Sequence, residues 1–515
     1  MIANVFTGSV VGIEGYKVYV EVDITSTLPA LTIVGLPDAA ISEAKERIRS
    51  AIKNSGYHFP TKKIVINLAP ADIKKEGSGF DLPMAVGVLA ANMDIDCEAL
   101  NDIAFLGELS LDGHIRGISG VLPATLGLKN DGITKIFVPK ENAREAALVE
   151  GMEVYPVEHL NEVIDFFNPE TLSELKIKPF SIDVKKYLVD SEQEFLFDFK
   201  DVKGQEKAKR ALEIAAAGGH NVLMAGTPGS GKTLLAKCFS GILPPLELSE
   251  AIELTKIYSV SGLLEKNQPL IKSRPFRSPH HSASSVGIIG GGTNPKPGEI
   301  SLAHRGVLFL DEVVEFPRAV LEVLRQPLED GTVVISRAQT SVKYPADFML
   351  LAAMNPCPCG YYGDTKKQCS CSETQAKRYW SRLSGPLLDR IDIQIEVPRL
   401  NEDELLNNNS SNESSKIIKQ RVIKAREIQL KRFENDKIIS NSQMTPKLTK
   451  KYCKLSQDCE DLLRSAISRL NLSARAYDRI LKLSRTIADL CQSDEIQISH
   501  IAEAIQYRNI DRNFT

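Results

Sequence analysis

Long apolar runs are missing from this chain of 515 residues. A helix that crosses a bilayer needs roughly 18 or more consecutive apolar residues, and no stretch reaches that length. The opening segment MIANVFTGSVVGIEG also lacks the basic start and unbroken apolar run of a secretory leader, so the expected location is cytoplasmic, with no membrane partner. An excess of positive charge is missing as well. With 63 Lys and Arg against 66 Asp and Glu, the net charge is -3 and the pI is near 6.3. A uniformly basic surface is excluded, and any nucleic-acid contact must come from local clusters. Cysteine is sparse, nine residues in all, an odd number with four of them between 357 and 371, which suits a metal site better than an extracellular disulfide framework. Internal repeats are absent.

What is present is ample apolar material, 43% of residues, with 25% charged, the composition of a soluble globular protein. A chain this long builds roughly three or four domains rather than one core. Residues 1–170 alternate β-rich runs (Val18 to Val22, Lys63 to Asn67, Ile136 to Val138) with helical stretches such as Ala39 to Asn54, which predicts an α/β or α+β domain. The charged, weakly patterned segment 171–195 reads as a linker. Residues 196–400 carry the strand, glycine-turn and helix signals of a parallel sheet. The polar tract NNNSSNESS at 407–415 reads as a flexible connection inside 401–515, which otherwise reads as helical.

The segment NVLMAGTPGSGKTLLAKCF sets an apolar strand before Gly226, then a glycine loop, then a helix opening at Lys232. This is the context that GxxxxGK(S/T) requires. Gly226, Gly229 and Gly231, with Thr227, Pro228 and Ser230 between them, let backbone amides curl around phosphates. Lys232 neutralises the outer phosphates, and the Thr233 hydroxyl can bind Mg2+. A second apolar strand, GVLFLDE, delivers Asp311 and Glu312 at its carboxyl end, where open parallel sheets bind ligands. Asp311 would hold Mg2+ through water, and Glu312 would orient and deprotonate the attacking water. A third strand, DFMLLAAMN, ends at Asn355, placed to position the same water. Arg390, in SGPLLDRID, could reach a neighbouring subunit's nucleotide as an arginine finger, which implies a ring. Arg475 could contact phosphates in cis, although arginine is also ordinary on a solvated helix face. Arg382 and Arg479 are the second choices for those two roles. The cofactors implied are ATP and Mg2+.

Cys357, Cys359, Cys369 and Cys371 form two CxC pairs nine residues apart. Four thiolates suit tetrahedral Zn2+; free thiols or a redox pair are the alternatives. From Lys232 to Asp311 the numbering advances by 79, leaving room for an insertion. Residues 257–300 carry Lys266, Lys272, Arg274, Arg277 and Lys296 against two Glu, beside the flexible GIIGGGTNPKPG, which suits a DNA-lined pore as well as a solvated loop. The stretch TVVISRAQTSVKYP reads as a hairpin with Arg337 at its tip and Lys343 on its return strand.

In this order the motifs resemble the branch of AAA+ ATPases that contains magnesium chelatases and MCM helicases. The phrases VGLPDAAISEAKERIRSAI, INLAPADIKKEGSGFDLPMAVGVLA, FRSPHHSASSVGIIGGG and RLSGPLLDRIDI are similar to signatures of the Mg-chelatase-like YifB/ComM family and span most of the chain. The resemblance implies a multidomain α/β fold: a Lon-protease-like (ribosomal S5 domain 2-like) N-terminal domain, an AAA+ P-loop parallel sheet core and a C-terminal helical lid. It further implies a homo-oligomeric, hexameric DNA translocase or helicase acting in branch migration during homologous recombination, as in natural transformation. A protein-remodelling or magnesium-chelatase-type ATPase is the alternative. The N-terminal likeness to Lon is clearest at LGELSLDGHIRGISGVLPATL. There Gly79 stands where the nucleophilic serine belongs and Leu122 where its lysine belongs, so the dyad is missing, and only Ser78 with Lys74 or Lys75 could form a shifted one.

Overall fold

The computed structural model describes residues 2–168, 177–184, 187, 196–265, 268–292, 295–336, 341–364, 366–400, 412–470 and 472–508. Most of the expected linker 171–195, the expected flexible tract up to residue 411, and Arg337 at the expected hairpin tip lie outside these residues. The chain forms two compact units, Met1–Ser191 with Leu248–Lys272, and Glu192–Glu247 with Ser273–Thr515. The segment 248–272, which the sequence reading places inside a continuous 196–400 core, therefore belongs to the first unit.

That first unit is a seven-stranded sheet in the order β3-β4-β2-β1-β5-β6-β7, with β1 Ile2–Val11, β2 Glu14–Thr25, β3 Ala30–Val34, β4 Lys63–Ala69, β5 Ile103–Phe105, β6 Lys135–Pro139 and β7 Glu153–Val157. The β1·β2 and β2·β4 pairs are antiparallel and the others parallel. Alternation sets the buried face: Val18, Val20 and Val22 point inward from β2, and Ile64, Ile66 and Leu68 from β4. Helix α1, Ala39–Asn54, is capped by the Asp38 carboxylate, which accepts from the Ile41 amide at 2.9 Å. It buries Ile41, Ala44, Ile48, Ala51 and Ile52, spaced three and four apart along one stripe. Helix α2, Asp81–Ala91, is buried all round. Gly87 lets it lie against the sheet, because a Cβ there would stand 2.6 Å from a Val22 methyl.

The positions that the Lon resemblance marks for a serine and a lysine are packed against other residues. A Cβ at Gly79 would lie 2.8 Å from Cδ1 of Ile118, and Leu122 is fully buried. The residues of a shifted dyad are engaged elsewhere: the buried Lys75 ammonium donates to the Pro70 carbonyl and Ser78 to the Glu108 carboxylate. No serine–lysine pair is assembled among these residues. The segment 248–272 is clasped to this unit by a buried carboxylate. Glu145 accepts from the Leu122 amide at 2.9 Å, from Asn142 Nδ2 at 3.0 Å and from the Ser259 hydroxyl at 2.5 Å.

In the second unit five parallel strands run in the order β9-β10-β13-β8-β14, with β8 Val222–Ala225, β9 Phe276–Arg277, β10 Val307–Leu310, β13 Met349–Met354 and β14 Ile393–Glu396. Between β10 and β13 the chain makes an antiparallel hairpin, β11 Thr332–Ser336 with β12 Ser341–Pro345. Strands β8 and β10 are buried at every residue, as expected where helices cover both faces of a parallel sheet. The region from Ser415 to Gln506 is built mainly of helices, including α3 Ser415–Arg432, α4 Ala474–Leu490 and α5 Ile498–Gln506, and shares one apolar core with the sheet. Ionic bridges reinforce that core. Glu213 receives Arg421 at 2.5 Å and Arg210 at 2.9 Å, and Arg210 also donates to Glu503 at 3.0 Å.

In the first unit, burial pushes the Asp81 carboxyl upward, and Arg47, bonding to both its oxygens at 2.7 and 3.1 Å, works against that shift. Arg47→Ala strands the buried acid and should destabilise this unit by about 3 kcal/mol. Denaturant unfolding should show a lower midpoint with an unchanged slope.

Candidate nucleotide site and cysteine cluster

Three strand ends build the site. At the end of β8, Gly226 brings its backbone close to β14's exit, where a Cβ would stand 2.2 Å from the Val397 carbonyl, and its amide donates to Met354 O at 3.1 Å. Gly229 and Gly231 take φ of 78° and 94°, values that favour glycine. The helix Lys232–Phe239 follows, so its N-terminus faces the loop. Within this cradle the hydroxyls of Thr227 and Ser230 are buried and have no hydrogen-bond partner among the described residues. Buried polar groups are normally satisfied, so these atoms suit a ligand rich in acceptor oxygens. Lys232, 8% exposed, donates to Gly226 O at 2.7 Å and Thr227 O at 3.0 Å, and stands 3.4 Å from Asn355 Oδ1. Its pKa is lowered by burial, against the opposing pull of Asp311 and Glu312.

The Thr233 hydroxyl donates to Asp311 Oδ2 at 2.8 Å. A hydroxyl beside a carboxylate is a hard oxygen pair, the donor type that Mg2+ takes together with nucleotide phosphates, so these residues fit that ion. Next in the chain, Glu312 has φ 50° and ψ 46°, a left-handed conformation uncommon outside glycine and frequent where strain serves a site. The Asp311 carboxylate accepts from its amide at 3.0 Å. One residue escaped the sequence reading. His281 lies with Nδ1 3.7 Å from Glu312 Oε2, and its ring packs 4.0 Å from that of His280. The signal was the histidine pair in FRSPHHSAS, four residues after β9, but only the pairing of β9 with β10 brings it to the acidic strand end.

Each of the expected arginines faces a carboxylate of this chain, Arg390 and Arg479 closely and Arg475 and Arg382 at the surface. Arg390, 9% exposed, donates to Pro386 O at 2.7 Å and pairs with Glu329. Arg475 stands 3.8 Å from Asp389, Arg479 is bonded to Asp392, and Arg382 donates to Val314 O and Glu315, each at 3.1 Å. Burial disfavours the charged form of Asp392, yet Arg479 and His220 hold its carboxyl below the ordinary range. Of the residues expected to meet DNA, Arg274 is directed at the carbonyls of Pro244, Pro245 and Arg305 at 2.8 to 3.0 Å, and Arg277 makes two 2.7 Å bonds to Glu299. Both bonding patterns serve the fold rather than an open surface. Lys296 and Lys343 are exposed, the latter on the hairpin.

The four cysteines converge. Their sulfurs lie within 4.8 Å of one another, with separations of 3.3, 3.4 and 3.7 Å among Cys357, Cys359 and Cys369. Cys357 is fully buried and the other three are half-buried.

A five-stranded parallel sheet with a phosphate cradle, an acidic strand end and a polar strand end between them defines a P-loop ATPase of the AAA+ class. Comparison with known proteins narrows this. Residues 198–405 match the family described as magnesium chelatase, subunit ChlI, residues 20–142 match subunit ChlI of Mg-chelatase, and residues 412–508 match the ChlI C-terminal family. Competence protein ComM of Haemophilus influenzae is 45% identical over 511 residues, 99% of this chain and 98% of that protein. The uncharacterized protein YifB of Salmonella typhimurium is 44% identical over 511 residues, 99% and 98% of the two chains. The chain belongs to the Mg-chelatase-like YifB/ComM family. Lon protease 2 of Bacillus subtilis is 32% identical over 145 residues, 27% of this chain and 25% of that protein. Among the described residues no helix is long and apolar enough to cross a membrane.

Glu312→Gln keeps the shape of the side chain and removes its basicity. ATP turnover should fall at least about 100-fold while affinity for a non-hydrolysable ATP analogue stays within about twofold, measured by steady-state hydrolysis and equilibrium binding. Turnover that survives the change would remove Glu312 as the base.

Proposed function

We propose that this protein is an ATP-hydrolysing, ring-forming DNA translocase that drives branch migration during homologous recombination. The observation that carries this reading is the similarity to a competence protein along 99% of the chain, with the phosphate cradle and acidic strand end intact. ATP would lie with its phosphates over residues 226–233. Lys232, already held beside the loop, would turn its ammonium from the Gly226 and Thr227 carbonyls toward the outer phosphates. Thr233 and Asp311 would hold Mg2+, which supplies charge neutralisation for the phosphates during transfer. Glu312 would take the proton of the attacking water, and Asn355, 3.4 Å from Lys232, would orient that water. His281 beside Glu312 would steady the carboxylate between turnovers.

DNA would be gripped by the hairpin, through Arg337 and the exposed Lys343, with Lys296 on a neighbouring small ribbon. With a net charge of -3, such local cations are the means this chain has for meeting a polyanion. A ring, hexameric by the family resemblance, would require Arg390 to leave Glu329 before reaching a neighbour's nucleotide.

The steady-state ATPase rate without DNA, with single strands and with a four-way junction at low salt tests this reading. DNA should raise the rate several-fold, less so as salt rises, and Arg337→Ala should lose most of the stimulation while keeping the basal rate. A rate indifferent to every DNA form would replace the translocase with a protein-remodelling or chelatase-type ATPase.

A further inference from the structure

The cysteine cluster does not stand apart from the nucleotide site. Strand β13 ends at Met354, Asn355 follows, and the first cysteine is Cys357. Between the first and second pairs, Gly360 turns the chain back with φ 85°, its amide donating to the Cys357 carbonyl at 2.9 Å. At that turn the backbone presses on the phosphate-binding loop. A Cβ added to Gly360 would sit 2.7 Å from both Cγ and Cδ of Pro228. The far side is also anchored: the buried Trp380 indole donates to the Pro356 carbonyl at 2.9 Å, and its helix Glu373–Trp380 is started by a Ser372–Gln375 capping box right after Cys371. The knuckle therefore touches the loop that would hold the phosphates and is continuous with the residue expected to orient the water.

Four sulfurs are arranged for a metal. At a Zn–S distance of about 2.3 Å the edge of a tetrahedron is about 3.8 Å, and three of the separations are 3.3 to 3.7 Å, far beyond the roughly 2.05 Å of a disulfide. The amide of Cys371 faces the Cys369 sulfur at 3.3 Å, the kind of outer contact that supports a thiolate ligand. An entry path exists as well, since Cys359 and Cys371 border a cleft of 1160 Å³.

We propose that Cys357, Cys359, Cys369 and Cys371 bind one Zn2+ and that the metal-pinned knuckle braces the phosphate-binding loop through the Gly360–Pro228 contact, so that zinc and ATP bind cooperatively. Without the ion nothing ties the two CxC pairs to each other, the turn at Gly360 loosens, and the loop loses the surface that holds Pro228 in place. Coupling of this kind is reciprocal: whatever factor zinc adds to ATP affinity, ATP adds to zinc affinity. The inference rests on residues 226–233 being the ATP site and is independent of what the motor acts on.

The test uses the full chain purified without chelator. Metal analysis should find one zinc per chain. Removing it should weaken binding of a fluorescent ATP analogue roughly tenfold, an ordinary size for coupling between adjacent sites, and adding Zn2+ back should restore it. A saturating ATP analogue should slow zinc loss to a chromogenic chelator by a similar factor. Gly360→Ala should keep its zinc yet bind the analogue more weakly, which separates the contact from the metal. Zinc-free protein that binds the analogue within twofold of the zinc-loaded form overturns the coupling, and protein purified without chelator that carries no zinc and takes none up when it is supplied overturns the metal. Zinc-loaded protein that binds no nucleotide at all defeats the ATP-site reading instead.

Discussion

The nucleotide site of the second unit turns on one contact across the sheet, the hydrogen bond from the Thr233 hydroxyl to the Asp311 carboxylate. The two residues leave β8 and β10, strands that are not neighbours, because β13 runs between them. A parallel sheet brings the carboxyl ends of its strands to one edge, and that edge is where an open α/β sheet can hold a ligand. Insertion of β13 places Asn355 midway, within 3.4 Å of Lys232. A cation, a hydroxyl, a carboxylate and an amide thus meet although Thr233 and Asp311 are 78 residues apart and Lys232 and Asn355 are 123 apart. Strand order is what gathers them.

The constraint reaches outward from there. Val307 to Leu310 and Val222 to Ala225 must be apolar throughout because both faces are covered, and the polar residues can stand only at the exits. The hairpin β11–β12 leaves and rejoins the sheet between β10 and β13, so its exposed Lys343 is carried on a projection and does not disturb the core. At the other side of the loop the CxC pairs close up directly after Asn355, and Gly360 is the residue whose missing side chain allows that approach.

In the first unit the positions that the Lon resemblance marks for a serine and a lysine are packed. Where a serine nucleophile and its lysine would sit, Gly79 faces the Ile118 side chain and Leu122 is buried. The polar residues left nearby, Lys75 and Ser78, are spent on a carbonyl and a carboxylate. Glu145, sunk in the same region, has become a structural acceptor that ties Ser259 to Leu122 and Asn142. The buried acid has its bonds, and among these described residues no serine–lysine pair is assembled.

The residues by themselves determined the ATPase core. The glycine loop opening a helix at Lys232, the apolar strand ending in Asp311 and Glu312, and the strand ending in Asn355 are local patterns, and local patterns follow from dihedral preference and burial over a few residues. The clustering of the four cysteines was equally legible. Tertiary structure alone decided which charges are used up and which segments belong together. Arg274 and Arg277 read as basic residues in a flexible loop, but their carbonyl and carboxylate partners lie 22 to 31 residues away, beyond any local pattern. Nor could local pattern show His281 against Glu312, Gly360 against Pro228, or the return of 248–272 to the first unit. Those meetings depend on sheet order and on the packing of side chains distant in sequence, which compete for partners only once the chain has closed on itself.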